Sequence, residues 1–125
     1  MPVKITKKFS FESAHYLPLF PEGHKCKRLH GHSFKLEVNL IGEINEQGVV
    51  LDFGDIKKIV SPFVNKLDHY CINEIGLAEQ DPLLSNPTSE NLAKWFYLQL
   101  KPLLPLLENI RIQETCTSSC TYSPN

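Results

Sequence analysis

The sequence predicts an α+β fold, an antiparallel sheet with two helices on one face. Three observations predict it. Two N-terminal segments alternate apolar and polar residues with the period of a strand; two later segments repeat apolar residues at helical spacing; and one more alternating segment lies near the C-terminus. A chain of 125 residues is expected to form one domain, over 1–125, and is too short for two large ones.

The first strand spans Val3 to His15, with Val3, Ile5, Phe9 and Phe11 at odd positions, Lys7 as the exception, and His15 in phase with them. The second places His30, His32, Phe34, Leu36, Val38 and Leu40 at even positions, so both histidines share the apolar face. Between them, 16–29 is rich in Pro, Gly and charge and reads as a loop. Gly42 to Gly48 predicts a hairpin turn into a short third strand, Val49 to Leu51. A helix follows, capped by Asp52 or Asp55, with Phe53, Ile56, Ile59, Val60, Phe63, Val64 and Leu67 on one stripe. Pro62 predicts a bend or break near Ser61, because an interior proline costs ~3 kcal/mol. After a long connection, Asn86 to Glu90 supplies caps and first-turn negative charge for a second helix. That helix carries Leu92, Trp95, Phe96, Gln99, Leu100 and Leu103 and stops around Pro102 or Pro105. The last strand has Ile110, Ile112 and Glu114 in one phase, so Glu114 points where the apolar residues point.

The charge balance excludes some functions. With 13 Lys+Arg against 14 Asp+Glu, the chain lacks the bulk positive charge of a nucleic-acid binder. No run approaches the ~18 apolar residues of a membrane span, and no apolar secretory segment follows the N-terminus, so a cytoplasmic location is expected. In that compartment Cys26, Cys71, Cys116 and Cys120 are expected to be reduced, and a disulfide between Cys116 and Cys120 is a question only for oxidising conditions.

The histidines point to a metal. Residues two apart on a strand project to one side, so His30 and His32 can offer nitrogens to a single ion, and His15 can be the third ligand at the end of the neighbouring strand. Three histidines with an open position suit catalytic zinc. A packed core histidine is the alternative for His15. Cys26 precedes His30 by four residues, which leaves a second arrangement open, a closed Cys-His₃ structural site. Lys25, Lys27 and Arg28 surround Cys26 and favour a reactive thiolate, unless they are simply a solvated loop. His24 reads as a loop residue.

The motifs from Phe9 to His15 and Cys26 to His32, with Leu67-Asp68-His69, Pro87 to Glu90 and Gln113-Glu114-Thr115, resemble the family of 6-pyruvoyl- and 6-carboxy-tetrahydropterin synthases over nearly the whole chain. Three residues separate Cys26 from His30-Gly31-His32, where the pyruvoyl enzymes resemble a five-residue gap, and the ending from Glu114 to Cys120 resembles the carboxy branch. A related folate-pathway group has glutamate in place of the cysteine.

The resemblance implies the tunnelling fold (T-fold), in which subunits form an oligomeric barrel, here a hexamer made as a dimer of trimers, with sites between subunits. It implies conversion of the pterin triphosphate 7,8-dihydroneopterin triphosphate to 6-carboxy-5,6,7,8-tetrahydropterin, acetaldehyde and triphosphate, toward 7-deazaguanine compounds such as queuosine. One zinc ion per subunit would be held by His15, His30 and His32. Cys26 would act as base, with His69 as acid and Asp68 orienting it. Glu114 would anchor the pterin ring, aided by Thr88, Ser89 and Glu90. From the residues alone, Asp68-His69 also reads as a helix C-terminus, Thr88 to Glu90 as a helix start, and Glu114 as a strand end in water. Lys25, Lys27 and Arg28 are candidates for the triphosphate.

Overall fold

The computed structural model describes residues 1–124. Strands β1 (Val3–His15) and β2 (His30–Gly42) pair antiparallel along their whole lengths, from Val3 opposite Gly42 to His15 opposite His30. The alternation predicted for β2 is realised: Phe34, Leu36, Val38 and Leu40 are fully buried, while Ser33 and Lys35 face water. Helices α1 (Phe53–Leu67), α2 (Pro82–Ser85) and α3 (Ser89–Leu100) come next, followed by β3 (Leu107–Thr115) and β4 (Ser118–Tyr122). The sheet runs in the order β1-β2-β3-β4, antiparallel throughout. The two long helices cover it, α1 against β1 and α3 against β3 and β4.

Asp52 caps α1, its Oδ1 accepting the Gly54 N–H at 2.6 Å. Ile56, Val60, Val64 and Leu67 form the buried stripe of that helix. Of the bend or break predicted near Ser61, the break is absent, and α1 continues through Pro62. Pro62 and Lys58 are both exposed, so the Lys58 carbonyl that loses its helical donor can bind water instead. Thr88 caps α3 by accepting the Asn91 N–H at 3.0 Å. Leu92, Trp95, Phe96 and Leu100 of that helix are buried, and it ends two residues before Pro102, which has no N–H to continue the ladder.

Two further corrections concern strands. Val49 to Leu51 is not a strand, and no hairpin forms from Gly42 to Gly48. Asn45 organises that loop instead: its Oδ1 accepts the N–H groups of Gln47 and Val49, and its own N–H bonds the Val49 carbonyl. The apolar run there reflects burial of Val50 rather than strand pairing. The unpredicted strand is β4, which packs the half-buried Cys120 and Tyr122 against the core. Between β3 and β4 the register shifts: Gln113 faces Ser119 and Thr115 faces Ser118, leaving Glu114 as the extra residue of a β-bulge.

Phe11 and Phe34 stack across β1 and β2 with centroids 5.0 Å apart, and Phe96 of α3 closes on Phe11. This aromatic layer is the last of the apolar core on that face. Beyond it the same alternation continues into histidines. No helix among the described residues is long and apolar enough to cross a membrane.

Candidate metal centre

The β1–β2 register brings the three histidines together, because His15 pairs with His30 and His32 is two residues further along the same face. Their rings lie 4.6 to 5.3 Å apart, and one ligand atom from each falls within 4.8 Å of the others. His15 and His32 both meet the Phe34 ring edge-on at 5.5 Å, so the cluster rests on the core's aromatic layer.

Two hydrogen bonds determine which nitrogens face one another. The His15 Nδ1–H donates to the Pro87 carbonyl at 2.8 Å, and the His30 Nδ1–H donates to the Arg28 carbonyl at 2.6 Å. A carbonyl has no proton to give, so each neutral ring carries its proton on Nδ1 and presents a bare Nε2. The Nε2 of His15 is buried and has no hydrogen-bond partner. Burial also lowers the pKa of His15, as does the His30 charge, against the opposing pull of the Pro87 bond. Burial likewise lowers that of His32. Both shifts favour the neutral, ligating form.

Glu114, aimed by its bulge, places Oε1 3.5 Å from the Nε2 of both His15 and His32. A carboxylate oxygen facing a bare imidazole nitrogen is a pair of acceptors, favourable only when a cation, proton or metal, lies near them. The donor set therefore fits a metal ion. Cys26 is not part of it: the ligand atoms that converge belong to His15, His30 and His32.

Asp68 and His69 sit at the end of α1. Asp68 Oδ1 accepts the Glu12 N–H at 2.8 Å, and its Oδ2 lies 3.0 Å from His69 Nδ1. The Glu12 N–H, then the His69 contact, hold the Asp68 carboxyl below its ordinary pKa. His69 takes a left-handed backbone, φ 64°, fixed by its N–H bond to the Glu12 carbonyl. Its ring is largely exposed and opens on a cleft of about 550 Å³. That cleft is lined by Glu12, Ala14, Gly31 and Ser33, which alternate with the ligands along β1 and β2, and His32 is the one ligand it shares. Within one chain the Asp68–His69 pair and the histidine cluster thus belong largely to opposite faces of the same ribbon.

Cys26 lies in a 3-10 turn, Lys25–Lys27, whose start is capped by His24: the Cys26 N–H donates to His24 Nδ1 at 3.0 Å. The Cys26 carbonyl accepts the Leu17 N–H, tying the turn to the chain just beyond His15. Lys27 pairs with Glu22 at 2.5 Å. Of the α3 start, Thr88 is occupied as a cap, Ser89 Oγ is buried without a partner, and Glu90 is exposed near Cys120, whose pKa is raised by burial and then by that charge. All four cysteines are free thiols.

Residues 4–125 match the family of 6-pyruvoyl tetrahydropterin synthase. The chain belongs to this family. Among members of the 6-pyruvoyl tetrahydropterin synthase family, a 6-carboxy-5,6,7,8-tetrahydropterin synthase of Synechocystis sp. is 42% identical, over 94% of this chain and 91% of its own. A dihydroneopterin monophosphate aldolase of Pyrococcus furiosus is 37% identical, over 84% of this chain and 81% of its own. The solved 6-pyruvoyl tetrahydropterin synthase of Caenorhabditis elegans superposes with a TM-score of 0.87 at 26% identity, covering 100% of this chain and 97% of that one. The expected T-fold is therefore the fold of this chain.

For this member of the 6-pyruvoyl tetrahydropterin synthase family, sequence reading missed the groups that orient the ligands. They are backbone carbonyls, Pro87 and Arg28, which have no side-chain signature. It also passed over His24, whose spacing of two before Cys26 is the available signal for a side-chain cap.

Proposed function

We propose that the chain is a zinc-dependent carbon-carbon lyase, a 6-carboxytetrahydropterin synthase. It would take 7,8-dihydroneopterin triphosphate and water to 6-carboxy-5,6,7,8-tetrahydropterin, acetaldehyde and triphosphate. The side chain is oxidised as the ring is reduced, so no redox cofactor is required. The observation that carries this reading is the buried, unpartnered His15 Nε2 facing Glu114 in a three-histidine cluster. The names and coverage of the relatives support the pterin class.

His15, His30 and His32 would hold the ion through Nε2. Zinc there would supply Lewis-acid polarisation of the substrate's side-chain hydroxyls. Cys26 takes a proton from side-chain carbon as a thiolate, and His69, oriented by Asp68, exchanges a proton with the other part of the side chain. Glu114 receives the paired N–H donors of the pterin edge, with Thr88, Ser89 and Glu90 bordering the ring. No protein N–H donor in the described residues saturates the Glu114 carboxylate, which supports that role. Lys25, Lys27 and Arg28 are the candidate cations for the triphosphate, Lys27 being paired with Glu22.

The division of His69 and the cluster between two faces of one ribbon supports a site completed by a second subunit. The outer edge of β4 and that of β1 before Glu12, where the segment after α1 begins to bond it, supply strand edges for such an assembly, which we assign as a cytoplasmic hexamer. The step would lie on the way to 7-deazaguanine compounds such as queuosine.

The deciding experiment is incubation with 7,8-dihydroneopterin triphosphate followed by product identification, since relatives of similar identity carry two different pterin reactions. Acetaldehyde with a 6-carboxy pterin is the expected result. A pyruvoyl pterin without acetaldehyde would move the assignment to pyruvoyl-tetrahydropterin synthase.

A further inference from the structure

We propose that Asn73 is a positioning residue for the metal centre: its carboxamide bonds the outer edge of β1 just beyond His15 and ties together the two segments that hold His15. This inference rests on the metal reading above.

The β1 ladder ends at His15, opposite His30, the first residue of β2. Tyr16, one residue beyond, turns its N–H and carbonyl to the outer edge of β1, the side away from β2 on which the Glu12 carbonyl and the Ala14 N–H also meet the segment after α1. Asn73 supplies both bonds: its Oδ1 accepts the Tyr16 N–H at 3.0 Å and its Nδ2 donates to the Tyr16 carbonyl at 2.7 Å. Exchanging the amide's oxygen and nitrogen would break both, so the contacts fix its orientation. A third bond, from Nδ2 to the Ser85 carbonyl at 3.2 Å, reaches the segment just before Pro87. Pro87 is the residue whose carbonyl sets the His15 tautomer.

On the other side of His15, Ala14 donates its N–H to Tyr70 at 3.0 Å and forms a parallel bridge with Cys71. The segment from Tyr70 to Asn73 therefore runs along the edge of β1 at the ligand. Asn73 is the side chain in it that reaches both the strand bearing His15 and the stretch bearing its Nδ1 acceptor. Loosening either support lets the imidazole turn away from the other two. Outer-shell changes of this kind typically lower metal affinity 10–100-fold.

The test measures zinc affinity by competition with a chromogenic chelator, together with the visible spectrum of the cobalt(II)-substituted protein. The variants are Asn73→Ala, which removes all three bonds, and Asn73→Asp, which keeps the acceptor for Tyr16 and removes both donors. Asn39→Ala is the control. It deletes a polar clasp to Thr6 and Asn109 on the same sheet, seven residues from His32 along β2 and roughly 23 Å away.

The expected result is zinc binding weakened about 10–100-fold in Asn73→Ala, with a changed cobalt spectrum, and within twofold of wild type in Asn39→Ala. Should Asn73→Ala fail to fold, Asn73→Asp carries the same expectation. Wild-type affinity in the folded Asn73 variants, or an equal loss in Asn39→Ala, overturns the inference while leaving the metal reading intact. A wild-type protein that binds no zinc overturns both.

Discussion

His15 is the residue on which most of the candidate chemistry turns, because it is fully buried and its proton is committed to Pro87. Its folded pKa lies below the ordinary 6.5, chiefly through burial. Protonation is disfavoured in the folded state, so the contribution of His15 to the stability of the metal-free protein is fully present above about pH 6.5 and is lost as pH falls through the lower folded value. Denaturant titrations of chelator-treated protein across pH 5–8 check this, and a His15→Gln variant should show a flatter profile. Cys26 tests the other half of the site. Its thiol is outside the ligand set, so Cys26→Ala should keep the metal and the fold and lose about 10²–10⁴-fold in turnover. Loss of metal and unfolding would instead favour the closed Cys-His₃ arrangement. Glu114→Gln keeps shape but removes charge, and is expected to weaken substrate binding about tenfold or more with the fold retained, as measured by equilibrium titration.

Elements place these residues by local rules. The Glu114 bulge adds one residue to β3 without changing the face on which Ile110 and Ile112 lie, and so carries the carboxylate to the histidines. At α3 one residue has two proposed duties. Thr88 caps the helix, so Thr88→Ala should lower stability by about 1 kcal/mol in chemical denaturation, whereas Thr88→Ser should restore it. A substrate-binding defect that persists in Thr88→Ser would isolate the contact to the pterin from the cap. At α1 the proline did not break the helix, for a physical reason: the penalty is largest where the freed carbonyl is dry, and here Lys58 and Pro62 lie on the exposed side of the helix.

At the scale of the whole molecule, the core and the site share one layer. Phe34 stacks on Phe11 and bears edge-on on His15 and His32, so Phe34→Ala should cost about 3–5 kcal/mol and weaken metal binding together. The Asp68–His69 pair lies largely on the other face of that ribbon. If the site is shared, sedimentation should report a hexamer, and mixing unfolded Cys26→Ala and His69→Ala chains before refolding should recover part of the activity that each lacks alone. No recovery would place Cys26 and His69 of one chain in the same site.

Much of the arrangement was legible from residues alone, and the reason is periodicity. Alternation placed the apolar residues of β1 and β2, both long helices followed from 3.6-residue spacing and their caps, and the phase shared by His15, His30, His32 and Glu114 survives in the fold. Strand β4 was not legible, because a five-residue strand of Ser, Cys, Thr and Tyr carries too little apolar contrast, and it exists by pairing with β3. Val49 to Leu51 failed in the opposite sense, since burial without a partner strand gives an apolar run and no ladder. Which side chains share a face follows from the period of each segment alone. How they are used depends on the assembled fold: backbone carbonyls of Pro87 and Arg28 set two tautomers, Asn73 bonds the outer edge of β1 just beyond His15, and the His69 ring opens on a cleft that shares only His32 with the cluster. Each depends on segments distant in sequence meeting in space, which the period of a single segment does not encode.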